Sequence, residues 1–246
     1  MYECATTQED KELMLDRCRE MVLAGARVCR PLKTIVQHEA KTLAPYGHLV
    51  DPERNHEFRE TFSVEPRPYN FEVFERRYKE DKAFASGILR QIDSCTDSLQ
   101  TECPDVVAKV RQWDHSKKSR CDRLRAWVRE VDSIDLHGAA IWLLPGITEH
   151  PQKYCLSDEW VSWQVTRVFL VWWLESNFQH QAGKEEKELK IEHDWQDLTY
   201  VALMGGVDAL VTRDKFLRDL AQAAFPDKDV FSGLDEVPEE YLCHWS

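Results

Sequence analysis

The stretch HDWQDLTYVALMGGVDALVTRD, residues 193–214, decides how the rest of the chain is read. Its spacing predicts a helix over 194–204. On that helix Asp194, Asp197, Val201 and Met204 recur at intervals of three and four and share one stripe, with Tyr200 beside it. Two acids therefore head an apolar seam. Gly205 and Gly206 stop the helix, because glycine accepts the left-handed conformation that a helix C-terminus favours. The following VDALVT has the β-branched, apolar composition of a buried strand. Asp214 comes just past that strand and before KFLRDLAQAAF, where Phe216, Leu217 and Leu220 predict the next helix. The order is helix, strand, helix, with Asp214 at the carboxyl end of the strand, the edge at which open α/β sheets bind ligands.

Each acid also has a structural alternative. Asp214 suits the N-cap of the helix after it, and Asp194 could cap its own helix. Asp197 resists that treatment. Inside a helix and on its apolar stripe, an unpaired carboxylate is strongly destabilising or else protonated, so Asp197 calls for a cation or a hydrogen-bond donor.

The amino-terminal region carries a similar unit. Residues 8–24 predict a helix with Leu13, Leu15, Met21, Val22 and Leu23 at its greasy positions and Gly25 as its stop. ARVCR at 26–30 predicts a short strand. Pro31 then opens a helix where its missing N–H does no harm, and Ile35, Val36, Glu39 and Leu43 fall at helical spacing. Glu39 thus sits on a greasy stripe too. Its alternatives are the edge of the surface or an ion pair with Lys33 or Lys41.

Residues 45–190 have a different texture. The segment 47–70, with EPRP at 65–68, reads as a long connection. Helices are expected near 70–99, 104–131 and 157–178, and AAIWLL at 139–144 is open between strand and helix. EWVSWQVTRVFLVWWLESNF is apolar nearly all round, which predicts the spine of a core. KEEKELK at 184–190 reads as a solvated linker or helix face. In VRQWDHSKKSRCDRLRAWVREV, the basic residues Arg111, Lys117, Lys118, Arg120, Arg123, Arg125 and Arg129 interleave with Trp113 and Trp127. Such a stretch could grip a single-stranded nucleic acid, with Lys117, Lys118, Arg120 and Arg123 as the contacts. The alternative is a helix with its charges in water and its tryptophans in the core.

The whole chain sets limits. Its 246 residues suffice for a substantial core. Eight cysteines without a C-x-x-C pair or Cys/His spacing argue against a zinc ribbon and suggest reduced thiols in a cytoplasmic protein. The longest apolar run, VFLVWWL at 168–174, is far short of the roughly 20 residues that span a bilayer, so no membrane partner is expected. The net charge of −12 supplies no global attraction to nucleic acid.

Asp197, Tyr200, Asp208, Leu210, Val211, Thr212 and Asp214, in the pattern D-x-x-Y followed by D-x-L-V-T-x-D, resemble the carboxyl-terminal half of a PIN domain. RVCRPLKTIVQHEAKTL resembles that family's second strand and the helix bearing its acid. The resemblance implies an α/β fold of three α/β/α layers around a short parallel sheet. Residues 1–44 and 191–246 would form the core, and 45–190 a large, mainly helical insertion packed on it. It also implies a ribonuclease, conceivably toxin-like, that cleaves RNA phosphodiesters with Mg2+ or Mn2+. Glu39, Asp197 and Asp214 would be catalytic, metal-binding acids, Asp194 an auxiliary ligand, Thr212 site-orienting and Asp208 structural. Such ions prefer oxygen ligands. RNA and an antitoxin-like or other protein are the partners implied; the rival is a catalytically inactive PIN-like scaffold whose helical insertion binds another protein. The family's first strand, which ends in aspartate, has no counterpart in MYECATTQED. The expectation is therefore that Met1 is internal and that upstream codons supply that strand, without which the protein should be poorly stable and weakly active.

Overall fold

The computed structural model describes residues 8–23, 27–62, 76, 79–80, 82–88, 90, 119–133, 159–181 and 191–242. These are mostly helical, with one short parallel sheet of two strands, a mixed α/β arrangement. The chain divides into two compact units: residues 1–31, 47–81 and 237–246, and residues 32–46 and 82–236.

In the first unit, helix α1 (Gln8–Leu23) forms where the sequence predicts a helix and packs on α3 (Pro52–Phe62). Leu13, Met21 and Leu23 are exposed, so these three residues of α1 are not core positions. The helix α3 corrects the reading of 47–70 as a plain connection. Asp51 caps it, accepting from the Arg54 amide at 3.1 Å, and Pro52 takes the first helical position, where no amide partner is needed. ARVCR is corrected as well. Instead of a parallel strand it makes an antiparallel bridge between Cys29 and Val50. The Arg30 amide donates to Leu49 O at 2.8 Å and the Asp51 amide to Val28 O at 2.9 Å, which commits these backbone groups to a local partner.

The second unit is built round α5 (Val161–Gln181), with α2 (Leu32–Thr42), α4 (Arg120–Ser133), α6 (Ile191–Ala202) and α7 (Lys215–Ala224) packed against it. From Trp160 to Glu175 every residue of this segment except Arg167 is buried, as expected for a helix apolar all round. Residues 82–88 are also helical, with Ala85 and Ile88 buried.

Two arginine contacts set the sense of α4 and α7. Arg120, the first residue of α4, lies over the ring of Phe216 near the start of α7, 5.8 Å from its centroid. At the other end Arg167 grips Asp132 of α4 with two bonds of 2.8 Å and donates to Ala224 O, the last residue of α7, at 2.6 Å. The two helices therefore run side by side in the same direction.

Helix α6 passes into a 3-10 turn over Leu203–Gly206, and strands β1 (Ala209–Val211) and β2 (Asp229–Phe231) pair in parallel across α7. Leu210 faces Val230 in the register. A parallel pair requires such a crossover, and α7 supplies it with Leu217, Leu220, Ala221, Ala223 and Ala224 on its buried side. At Gly205 a side chain would bring a Cβ to 3.1 Å from Cγ of Gln164 on α5. The absence of a side chain there, and not a left-handed backbone, is what the packing of the turn uses.

Candidate functional site

Helix α6 answers the question that its acids raise. The buried face runs through Trp195, Leu198, Val201 and Ala202; it shares Val201 with the stripe that begins at Asp194 and Asp197 and extends round the helix to one side of it. The acids stand at the margin of the packed face and are half-buried. Asp194 accepts a hydrogen bond from the indole Nε1 of Trp172 at 3.0 Å. Asp197 has an interaction partner of its own. Val201 and Met204 are fully buried, as the seam predicts.

Asp214 occupies the turn between β1 and α7. Its backbone is extended and its Oδ1 accepts from the Leu217 amide at 2.9 Å, the geometry of an N-cap. Thr212 closes the turn from the strand side: its amide donates to Phe231 O at 2.9 Å, and its Oγ1 accepts from the Asp214 amide at 3.2 Å. Arg218 reaches back from α7 and donates to Thr212 O and Arg213 O at 3.3 and 3.2 Å. Thr212 thus meets β2 through its amide and the Asp214 amide through its side-chain hydroxyl. Beyond β2, hydrogen bonds from the Ser232 hydroxyl and amide hold the exposed Glu236 carboxyl below its usual range, with a smaller contribution from the nearby Arg218 charge.

Glu39 lies elsewhere in the unit and is fully buried. Its Oε1 accepts from the amides of Tyr46 at 3.0 Å and Val161 at 2.9 Å. Its Oε2 accepts from the Ser162 amide at 2.8 Å and the Ser162 hydroxyl at 2.6 Å. Val161 and Ser162 begin α5, so a side chain of α2 supplies the cap for the central helix. A carboxylate offers about four lone-pair sites, and all four are occupied here. The chain makes this possible at Leu43, whose φ of 54° ends α2 and turns the backbone so that Tyr46 returns to Glu39.

Mg2+ or Mn2+ would need carboxylate oxygens with free lone pairs converging on one point. Among the described residues no three His, Cys, Asp or Glu side chains gather in that way. Glu39 does not fit the ion, because all four of its lone-pair sites are taken by Tyr46, Val161 and Ser162, whereas the Asp214 carboxylate accepts from the Leu217 amide through Oδ1.

The basic stretch divides. Arg123 is corrected as a nucleic-acid contact: it is buried and forks onto Glu175, Nε to Oε2 at 3.2 Å and the terminal nitrogen to Oε1 at 2.7 Å. Trp127, wholly buried, donates to the same carboxylate at 3.0 Å. Arg120 is half-buried on Phe216, while Arg125 and Arg129 are exposed. Lys117, Lys118, Arg111 and Trp113 lie outside the described residues, as do 139–144 and 184–190.

Sequence reasoning missed the Arg123–Glu175 and Arg167–Asp132 pairs. The signal was present: a charged residue within a helix apolar on all sides requires a partner of opposite sign. Partial burial pushes the Cys18 thiol above the usual cysteine range. Among the described residues no helix is long and apolar enough to cross a membrane. No protein-family model matches the chain, and neither a curated protein nor a solved structure matches it.

Proposed function

We propose that the chain is a PIN-like protein of three α/β/α layers that acts as a catalytically silent scaffold, binding another protein through its helical region. The observation that carries the reading is Glu39, whose two oxygens take four hydrogen bonds and cap α5. Asp214 and Asp194 are put to similar use, at the start of α7 and on Trp172. The succession β1, α7, β2, with Thr212 and Asp214 just past β1, supports the PIN-like part of the reading.

A specific observation favours a second reading, Mg2+- or Mn2+-dependent cleavage of RNA. Asp214 is exposed at the carboxyl end of β1, with its loop held by Thr212. Thermal melting with each metal, alongside RNA cleavage by the native protein, Asp197→Asn and Asp214→Asn, separates the two. The scaffold reading expects no rise in Tm and no metal-dependent cleavage. A metal-dependent rise, together with cleavage that either variant removes while its fold stays intact, replaces the scaffold with the nuclease.

A further inference from the structure

We draw no further inference here: the strongest candidate, the surface patch at β1 where Val211 of the strand and Val207 in the turn before it are exposed, carries nothing because no observation in the structure shows what covers it.

Discussion

Glu39→Gln tests the buried cap directly. In the best orientation the glutamine oxygen keeps the Tyr46 and Val161 amides that Oε1 now holds, and its NH2 stands where Oε2 meets Ser162. The Ser162 hydroxyl can rotate and accept from that NH2. The Ser162 amide cannot, so one buried N–H is orphaned at a cost of about 1–3 kcal/mol. Removing the negative group from the N-terminus of a helix adds up to about 1–2 kcal/mol in a buried setting. The expected loss is therefore about 2–5 kcal/mol, a large part of the roughly 5–15 kcal/mol that holds a typical domain. Urea unfolding followed by tryptophan fluorescence measures it, since Trp160 and Trp163 stand at the start of the capped helix. Ser162→Ala, which deletes only the hydroxyl donor, should cost about 1 kcal/mol and should couple to Glu39→Gln in a double-mutant cycle. A cap acts without any ion, so the loss should be equal in EDTA and in Mg2+. A Glu39→Gln loss under about 0.5 kcal/mol, or one confined to metal-containing buffer, refutes the reasoning.

Breaking the buried fork by Glu175→Gln or Arg123→Ala should cost about 3–5 kcal/mol, because either change strands its partner; equilibrium unfolding checks this, and a loss under about 1 kcal/mol would show that the pair is open to water. Asp214→Ala should lower stability by about 1 kcal/mol through loss of the α7 cap, while Asp214→Ser should restore most of it; equal losses in both variants would contradict the cap. Glu236 is bound more tightly as the anion in the folded state, so its contribution is present above the unfolded carboxyl pKa and disappears as pH falls through the lower folded value. NMR titration of its side-chain carbon should give a pKa below that of a free glutamate, and Ser232→Ala should move it upward; no movement would remove Ser232 as the cause.

Local rules read from the sequence were enough for the elements whose signals are local. The 3.6-residue spacing marked α1, α2, α6 and α7, and uninterrupted apolarity marked α5 as the spine. β-branched residues between turn signals marked β1, and Asp214 followed by a helical pattern marked a cap. Even α3 was legible in Asp51-Pro52, since an N-cap followed by proline begins many helices, though the charged residues after it hid the pattern.

What Glu39, Asp194 and Arg123 do was decided only by the tertiary structure. Helical periodicity defines an angle about the helix axis, and at 100° per residue Asp194 and Val201 lie only about 20° apart, so spacing alone does not separate the fully buried Val201 from the half-buried Asp194. Spacing along one helix also cannot show that a second helix begins beside it. Glu39 meets Val161 and Ser162 across more than a hundred residues of chain, and Arg123 meets Glu175 across about fifty. A buried acid announces in sequence that it needs donors or a cation. Which of these it receives depends on what the fold brings next to it, and here the fold brings the amide groups of a helix N-terminus to Glu39 and the indole of Trp172 to Asp194.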